Sequence, residues 1–507
     1  MISAKCTALL AKRPFVDLCG NSSGSIPPLA SEIPYASPHV LYPLFSGSGS
    51  FLFESVKGPE NIARYSFIGF DPYMVFRVKD GSVEIQSDSL KMASDGKPLK
   101  KLGELLGSYP QLPLAYLPPF QGGAVGLLSY DFVHYFEKLP HTTADDLRIP
   151  DAQFYMIDRL VAFDHVEKKA WAILCPGARS SKRDDPGLVY DEAEHILNGI
   201  LMKVKSALPD GPPGNAGACG SRPEIGITYG MSKTQYMDMV VRAKEYIAAG
   251  DIFQINLSQR LSAYVGSTSP WGLYERLRSI NPSPFAGFMD FGDYSIVSSS
   301  PERLVRVKEG LIETRPIAGT RPRGSDRNED ERMRRDLLLN EKERAEHIML
   351  IDLERNDLGR VSDYGSVKVD ELMITEDYSH VIHIVSNVKG SLREGRTSLD
   401  VIRAVFPGGT ITGVPKVRCM EIIDELEPVS RGPYTGSMGY IGFSGNMDMN
   451  IIIRSFVIKD GYAYVQAGAG IVADSDPERE YYETLKKAEA LIKTLEGLSY
   501  REIKAII

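Results

Sequence analysis

Residues 465–491, "VQAGAGIVADSDPEREYYETLKKAEAL", carry an apolar strand pattern through two glycines into a helical pattern. Gly468 and Gly470 come at the end of the predicted strand, where a ligand or another backbone can approach closely, although a tight turn is an alternative interpretation. In the helix that follows, Glu480 and Glu483 are three residues apart, so both carboxylates lie on one face. The junction of this strand and this helix is therefore a candidate polar site.

The same acidic spacing recurs far upstream in residues 340–350, "NEKERAEHIML", where Glu343 and Glu346 precede an apolar run. Either pair alone is also consistent with a solvated helix face. Taken with the glycines and with nearby basic residues, the four carboxylates indicate a site that holds a small carboxylate partly through a hard cation. Oxygen donors without a cysteine ligand favour Mg²⁺ over zinc, and because Mg²⁺ keeps several waters, two direct and two water-holding glutamates are expected.

Other polar residues of the C-terminal half stand in unusual surroundings. The segment "FPGGTITGVPKVR", 406–418, places glycines and threonines before a helical pattern, so that its backbone N–H groups can approach an anion. Arg454 is the one charge in "IIIRSF" and is expected to face an anion, with a structural salt bridge as the alternative. His383 lies within an apolar run, where a lone histidine is more often a core residue than a catalyst.

The composition restricts the class of protein. The chain has 507 residues, enough for several cores, and its formal net charge of -8 argues against a nucleic-acid partner. Its apolar runs have strand length, so no membrane span is expected, and its first residues lack a convincing signal peptide. The cysteines form no CxxC pair, which fits a reducing compartment: Cys6, Cys19, Cys175, Cys219 and Cys419. A cytoplasmic globular enzyme is predicted.

A change of composition divides the chain. Residues 208–226, "LPDGPPGNAGACGSRPEIG", are rich in Gly and Pro between two helical patterns and are predicted to be a linker. The preceding part, 1–207, has short alternating apolar segments that predict antiparallel strands. The following part, 227–497, combines similar strands with longer helical patterns and is predicted to be the catalytic domain.

Several segments together identify a family. "PIAGTRPRG", "NEKERAEHIMLIDLERNDLGRV", "YSHVIHIVSNVKG", "FPGGTITGVPKVRCMEIIDELEP" and "GAGIVADSDPEREYYETLKKA" resemble the chorismate-binding enzymes, a family that includes anthranilate synthase, aminodeoxychorismate synthase, isochorismate synthase and salicylate synthase. "FQGGAVGLLSYDFVHYFE" extends the resemblance through the N-terminal half. The fold that the resemblance implies is α+β, an anthranilate synthase component I-like two-domain sandwich of antiparallel sheets with outer helices.

The resemblance also implies a role for each matching residue. Glu346 and Glu483 match direct Mg²⁺ ligands, and Glu343 and Glu480 match the residues that hold the waters of the metal. Residues that match contacts of chorismate are Tyr434, Arg454, Gly468, Gly470, Lys487 and Thr410. Glu302, in "SSSPERL", matches the acid that protonates the departing C4 hydroxyl, which needs a raised pKa. His383 matches a family histidine near the ring.

The nucleophile is expected to be ammonia. Isochorismate and salicylate synthases have a lysine base that activates water at the position of Gln254 in "GDIFQINLSQRL". Ammonia needs no deprotonation before it attacks, so the resemblance points to the two amine-forming members of the family. These members normally receive ammonia from a glutamine amidotransferase subunit, and nothing in this chain resembles its Gly-Cys-Gly turn. A separate partner chain is therefore implied.

The expected product is 4-amino-4-deoxychorismate, for p-aminobenzoate and folate biosynthesis. Asn256, Thr412 in "FPGGTITG", and the segments "DLERND" and "GSMGY" resemble aminodeoxychorismate synthase. Anthranilate synthase is the alternative, because Ala318 stands where one group of aminodeoxychorismate synthases has a lysine. "FLFESV" also resembles a tryptophan-feedback element, whose pocket would involve Glu54, Ser55, Asn281 and Pro282. A non-catalytic binding homologue is a third hypothesis, disfavoured because the acid and the acidic pairs are all retained.

Overall fold

The structure is a computed structural model that describes residues 25–60, 62–87, 91–179, 185–207, 226–324, 326–377 and 381–496. The predicted linker lies outside the described residues apart from Gly226, and the predicted division into 1–207 and 227–497 stays a prediction. Three of the five cysteines also lie outside these ranges. Cys175 and Cys419 are buried free thiols.

The strands are short and distributed along the whole described chain. In order they are β1 Leu29–Ile33, β2 Phe51–Glu54, β3 Tyr65–Gly69, β4 Met74–Lys79, β5 Ser82–Ser87, β6 Lys91–Asp95, β7 Gly123–Leu128, β8 Ala152–Ile157, β9 Arg159–Asp164, β10 Lys169–Leu174, β11 Ile227–Tyr229, β12 Gln254–Tyr264, β13 Phe285–Asp290, β14 Tyr294–Ser300, β15 Arg303–Lys308, β16 Leu311–Thr314, β17 Ile317–Pro322, β18 Lys368–Asp377, β19 Val381–Ser391, β20 Gly413–Val414, β21 Ser437–Gly442, β22 Met447–Ile451, β23 Ser455–Lys459 and β24 Tyr462–Ile471.

The helices separate groups of these strands. They are α1 Pro38–Leu41, α2 Pro98–Gly107, α3 Pro186–Ala207, α4 Lys233–Ala248, α5 Pro270–Ile280, α6 Arg327–Leu339, α7 Glu341–Gly359, α8 Ser398–Val405, α9 Lys416–Leu426 and α10 Pro477–Glu496, with short 3₁₀ helices at Tyr42–Phe45, Tyr130–Tyr135 and Gly409–Ile411. Within the described ranges, none of the helices is both long enough and apolar enough to cross a bilayer.

The described strands form two antiparallel sheets of twelve strands each. The first has the order β1-β10-β9-β3-β2-β13-β14-β23-β24-β12-β11, with β20 beside β12. The second has the order β17-β19-β16-β15-β22-β21-β7-β8-β4-β5-β6, with β18 beside β19. The pairs β2–β13 and β7–β21 join strands from before and after the predicted linker. Both parts of the chain therefore contribute to both sheets.

The two sheets pack face to face through large apolar side chains. Phe51 of the first sheet and Tyr155 of the second belong to one buried layer. In the same layer, the Phe67 ring meets the rings of Phe120 and Tyr440 edge to face, with centroids 5.6 and 5.4 Å apart. Helices pack on the remaining sheet faces. The predicted α+β sandwich of antiparallel sheets with outer helices is confirmed.

Strand burial follows position in the sandwich. Strands β7 and β8 lie inside the second sheet and are buried at every position. In β18, at the margin of that sheet, exposed and partly buried residues alternate, as expected for a strand with one solvated face. The apolar alternations in the sequence therefore report strands correctly, but the doubly buried strands depend on the second sheet that covers them.

Two helix beginnings place the acidic pairs. Asn340 precedes α7, and its side-chain oxygen accepts a hydrogen bond of 3.0 Å from the backbone N–H of Glu343. Such a cap fixes where the helix starts, and hence which turn carries Glu343 and Glu346. Helix α10 begins at Pro477, a residue suited to the first helical position, and carries Glu480 in its first turn. Acidic residues there interact favourably with the helix dipole.

Candidate active site

The predicted residues gather around the pairing of β12 with β24, where Gly470 lies opposite Asn256. Both glycines lie inside β24, so the tight-turn interpretation does not apply. A Cβ atom on Gly468 would lie 2.4 Å from Asn256 Oδ1 and 2.9 Å from Tyr434 Oη, and one on Gly470 would lie 2.9 Å from Gln254 Nε2. Glycine is required at both positions because side chains of the site occupy the space.

Two basic residues converge on this strand. Lys487 Nζ donates to the carbonyl oxygen of Gly468 at 3.0 Å and lies 2.8 Å from Glu483 Oε1. The guanidinium of Arg454 donates to the main-chain oxygen of Lys487, and desolvation lowers the pKa of Arg454. No carboxylate within the described ranges forms a salt bridge with Arg454. A poorly solvated cation without a salt bridge is unfavourable, and a bound anion would compensate for it.

The Tyr434 ring is fixed beside the same glycine. Burial raises the pKa of Tyr434, so its phenol stays protonated and can donate a hydrogen bond. The Arg431 guanidinium carbon lies 5.7 Å from the centre of the ring. Glu427 accepts hydrogen bonds of 2.9 and 2.7 Å from Arg431, which holds that cation in place. Tyr434 and Arg454 can therefore present an O–H and a guanidinium to one carboxylate.

Glu302 carries a buried carboxyl group and lies immediately before β15, with a relative exposure of 6%. Burial raises the pKa of Glu302 to about 8, and the nearby charge of Glu354 acts in the same direction. The Thr410 hydroxyl, the Ile317 backbone N–H and the Lys487 ammonium oppose this rise. Thr410 Oγ1 is buried and makes no well-formed hydrogen bond within the described residues. At neutral pH, Glu302 is therefore mainly protonated and can act as an acid.

His383 lies on β19 against the end of β17. Its Nδ1 lies 2.9 Å from Thr320 Oγ1 and 3.3 Å from the Gly319 carbonyl oxygen. Burial, with a smaller contribution from the charge of Arg454, lowers the pKa of His383 to about 4. The imidazole is thus neutral at physiological pH. It is close enough to Arg454 to belong to the site, and its catalytic role stays a prediction.

The acidic pairs reach the same strand from two helices. Glu346 Oε1 accepts a hydrogen bond of 2.6 Å from Gln254 Nε2 and lies 3.7 Å from the point where a Cβ of Gly470 would be. Glu483 reaches β24 through Lys487. The structure therefore brings one glutamate of each pair to neighbouring positions on β24, which a solvated helix face would not require.

The other member of each pair has a different environment. Glu343 Oε1 lies 3.0 Å from Arg321 Nη1 in a salt bridge. Glu480 is buried, with a relative exposure of 9%, and its charge contributes to the raised pKa of Tyr236. These two positions are compatible with residues that hold waters rather than a metal directly.

The donor atoms of the acidic pairs are carboxylate oxygens, the type of ligand that Mg²⁺ prefers. No group of three or more His, Cys, Asp or Glu side chains within the described residues is arranged to hold a metal. Mg²⁺ commonly binds through one or two protein carboxylates and takes its other ligands from water and substrate. Glu346 and Glu483 offer carboxylate oxygens from two helices, so the residues fit such an ion, and its presence stays a prediction.

The residues that bear on nucleophile and product occupy different places. Gln254 and Asn256 lie on β12. The side-chain amide oxygen of each, Gln254 Oε1 and Asn256 Oδ1, is buried without a hydrogen-bond partner in the described part of the chain. Thr412 is fully buried, and its hydroxyl donates to the Gly408 carbonyl oxygen at 2.9 Å, so this side chain stabilises the turn. Ala318 is a buried residue of β17.

Two of the four residues predicted for a tryptophan-type pocket line a separate cavity of about 410 Å³. Glu54 and Ser55 line this cavity, but Asn281 and Pro282 are not among its lining residues. The Glu54 carboxylate is already engaged, because Arg278 donates to it at 2.6 and 2.8 Å and Tyr274 Oη donates at 3.0 Å. Residues from strands of both sheets line the cavity, and tryptophan binding there stays a prediction.

Three charged residues beneath the site have no role in the sequence-based prediction, and two of them, Glu354 and Asp357, are buried. Glu354 and Asp357 lie on α7, and Lys416 Nζ lies 2.6 Å from Asp357 Oδ2. The sequence does contain a pattern that points to Glu354. It follows Glu346 by about two helical turns and so lies on a similar side of the helix. The contact with Lys416 depends on tertiary packing.

Comparison with known proteins identifies relatives along most of the chain. The family model described as chorismate binding enzyme matches residues 48–493. Anthranilate synthase component 1 of Acetivibrio thermocellus is 44% identical, with coverage of 93% of this chain and 96% of the relative. Aminodeoxychorismate synthase component 1 of Bacillus subtilis (strain 168) is also 44% identical, with coverage of 89% and 93%.

A solved structure has the same fold. The crystal structure of anthranilate synthase component I from Streptococcus pneumoniae TIGR4 is similar with a TM-score of 0.75 and 35% identity. The similarity covers 91% of this chain and 97% of that chain. Since relatives with two different activities are equally identical to this chain, overall identity does not choose between their products.

Proposed function

The chain belongs to the chorismate-binding enzyme family, and from this we propose that it aminates chorismate with ammonia to 4-amino-4-deoxychorismate. It is a chorismate-utilising enzyme of the anthranilate synthase or aminodeoxychorismate synthase type. The observation that carries the proposal is the buried Glu302 carboxyl, whose pKa burial raises to about 8. A proton donor of this kind is what departure of the C4 hydroxyl requires.

Glu302 supplies the proton in the proposed reaction. Hydroxide is a poor leaving group, whereas a hydroxyl that receives a proton as its C–O bond breaks leaves as water. Nitrogen forms the new bond at C4 and then loses a proton, so chorismate and ammonia give aminodeoxychorismate and water. The enolpyruvyl group stays intact. A pKa of about 8 keeps Glu302 protonated at neutral pH yet acidic enough to give up its proton.

The substrate carboxylates match the basic groups of the site. Arg454 lacks a partner anion within the described ranges, and Tyr434 is a protonated donor beside Gly468. We assign these two residues to the enolpyruvyl carboxylate. Hydrogen bonds between charged groups are short and strong, so this pair supports orientation as well as affinity. Lys487 lies between Gly468 and Glu483 and is assigned to a further substrate contact.

The proposed metal is Mg²⁺, held by Glu346 and Glu483, with its waters held by Glu343 and Glu480. When bound, the ion would neutralise the ring carboxylate of chorismate and orient the ring. The chain contributes two carboxylates from separate helices, and Gln254 fixes the orientation of Glu346 through a hydrogen bond of 2.6 Å.

Ammonia is the proposed nucleophile, and a separate glutamine amidotransferase is its proposed source. Gln254 carries an amide where a base would be needed to activate water. Its Nε2 is bound to Glu346, and its Oε1 is buried without a hydrogen-bond partner among the described residues. An acceptor of this kind suits an N–H donor. The component I names of the relatives are consistent with a partner subunit.

Anthranilate synthase is the second candidate, in which amination at C2 is followed by loss of pyruvate. Ala318 favours it, because the side chain at this position of β17 cannot form a covalent bond with the ring. The proposed product is based instead on Asn256, whose Oδ1 lies against Gly468, and on the segments "FPGGTITG" and "GSMGY". These features resemble aminodeoxychorismate synthase.

Product analysis of the purified chain tests this choice. With chorismate, Mg²⁺ and ammonium salts at mildly alkaline pH, the expected product is aminodeoxychorismate. Addition of a separate aminodeoxychorismate lyase should then release pyruvate and p-aminobenzoate, with neither formed when the lyase is omitted. Anthranilate with an equal amount of pyruvate in the absence of lyase would establish the second candidate instead.

A further inference from the structure

Glu354 is a buried carboxylate of α7 that the proposed reaction does not use. Its relative exposure is 5%, although glutamate is rarely buried without a compensating partner. It lies about two helical turns after Glu346, in the part of α7 that runs beneath the Gly409–Ile411 turn. Its position therefore calls for an explanation from the groups that touch it.

The Gly409–Ile411 turn is seated directly on this part of α7. A Cβ atom on Gly409 would lie 2.2 Å from Leu353 Cδ2 and 3.5 Å from Glu354 Oε1. Only a hydrogen fits there, so the glycine allows the backbone to reach the helix. Burial raises the pKa of Glu354 to about 7, and the nearby Gly409 N–H and Thr314 hydroxyl oppose this rise. Glu354 thus holds one end of the turn.

The other end of the turn is held separately, and the residue between them faces Glu302. Arg431 Nη1 donates to the Ile411 carbonyl oxygen at 3.0 Å. Between these two fixed ends lies Thr410, whose buried hydroxyl approaches the Glu302 carboxyl and opposes the rise of its pKa. A displacement of the Gly409 end would therefore move the hydroxyl relative to the proposed acid.

Charged groups reach this region from four elements. Asp357 faces Glu354 from its own helix, with Arg360 beside Asp357. Lys416 comes from α9 and is bound at 2.6 Å to Asp357 and at 3.1 Å to the Val405 carbonyl oxygen.

The remaining two charged groups belong to the candidate active site. Glu302, immediately before β15, interacts with Glu354, and Lys487 of α10 faces Glu302. The Lys416 ammonium favours ionisation of both Asp357 and Glu354, and the charge of Glu354 in turn raises the pKa of Glu302. Like charges at short range disfavour ionisation of both groups.

On the basis of the proposed function, we propose that Glu354 is a positioning residue for Glu302. Its carboxylate seats the Gly409–Ile411 turn, so that Thr410 meets Glu302, and its charge helps to keep Glu302 protonated. Glu354 touches neither substrate nor reacting atoms in this assignment. It acts through one turn of backbone and through the electrostatic field inside the site.

Two substitutions of Glu354 distinguish its support of the Gly409–Ile411 turn from the effect of its charge on Glu302. Glu354→Gln keeps an oxygen that accepts from Gly409 N–H but removes the charge. We expect kcat at pH 6.5 to stay within about threefold, while the alkaline limb of the kcat profile moves to lower pH by about one unit, because Glu302 loses a like charge. Glu354→Ala also removes the acceptor, so kcat should fall about tenfold or more throughout, through misplacement of Thr410. Asp352→Asn, an exposed position on the same helix, is the matched control.

A direct titration makes the test independent of turnover. Infrared difference spectra of the ligand-free protein record the loss of protonated carboxyl bands with rising pH, and Glu302→Gln identifies the band of Glu302. In Glu354→Gln this band should disappear at a lower pH than in the unchanged chain, while Asp352→Asn leaves it in place. An unshifted Glu302 band would overturn the proposal. A shifted band in a chain that does not aminate chorismate would retain it and reject the proposed function.

Discussion

Gln254 Nε2 donates a hydrogen bond of 2.6 Å to Glu346 Oε1, across 92 residues of sequence. An amide that lies where a base would be required is thereby tied to a carboxylate assigned to the metal. The hydrogen bond fixes which end of the amide faces Glu346, so the carbonyl oxygen of Gln254 points elsewhere and is buried. The proposed choice of nucleophile and the proposed metal site are therefore linked through one contact.

The first prediction concerns the nucleophile. At a fixed total concentration of ammonium salt, activity should rise about tenfold per pH unit between pH 6 and 7, because the fraction of free ammonia rises by that factor. No isochorismate should form, since Gln254 cannot take a proton from water. Glutamine alone should support no reaction until a partner amidotransferase is added. Efficient use of glutamine by the isolated chain would contradict the dependence on a partner.

The second prediction concerns the metal. If Glu346 and Glu483 hold Mg²⁺, the ion bridges protein and substrate, and chorismate should bind more tightly in its presence. Glu483→Gln should abolish turnover and weaken chorismate binding about 100-fold or more, but only when Mg²⁺ is present. Glu478→Gln, at an exposed position in the first turn of the same helix, is the control. Calorimetric titration that gives equal affinities with and without Mg²⁺ in the unchanged chain would rule the bridge out.

The third prediction concerns Glu302 as the acid. Glu302→Gln preserves size but cannot donate the same proton, so kcat should fall by about 10² to 10⁴. In the unchanged chain, measured at constant free ammonia, kcat should decline as the pH rises through about 8, because Glu302 loses its proton. The variant should lack that decline. Retention of the same alkaline limb in the variant would assign the titration to another group.

The fourth prediction concerns stability. The pKa of Glu302 is raised from an ordinary 4.5 to about 8 in the folded chain, so the native state binds more protons than the unfolded state between these values. The free energy of unfolding should therefore fall as the pH rises through this window and level off above it.

The side chain introduced by Glu302→Gln cannot ionise. The variant should therefore not show the fall in the free energy of unfolding that ionisation of Glu302 causes. Its Tm relative to the unchanged chain should accordingly be higher at pH 9 than at pH 6, as measured by scanning calorimetry in matched buffers. Glu341→Gln, on the exposed start of α7, gives the control for loss of one carboxylate. A Tm difference that does not change with pH would mean that Glu302 is ionised in the folded state.

Local sequence patterns were sufficient where the relevant spacing is short. The separation of three residues within each acidic pair is a property of one helix, and α7 and α10 carry both pairs as predicted. The apolar alternations likewise predicted antiparallel strands. Gly468 and Gly470 were recognised as positions of close approach, since the absence of a side chain is visible in sequence. These features need only the periodicities of helix and strand.

The resemblance to a family carried the prediction further than periodicity could. It predicted that Glu302 acts as an acid, although nothing in "SSSPERL" by itself indicates burial. The structure adds the reason, because the carboxyl is enclosed and faces the charge of Glu354. The tryptophan-type pocket stays a prediction. Glu54 and Ser55 line the cavity, but Asn281 and Pro282 do not.

By itself, the sequence determined the strands, the helices and the faces on which the charged side chains lie. Only the tertiary structure decided which of these side chains meet. Lys487 joins Gly468 to Glu483, and Glu354 reaches the Gly409–Ile411 turn, because sheet and helix packing brings these elements together. Helical and strand periods act over a few residues, whereas burial raises the pKa of Glu302 only after distant segments have excluded water from around it.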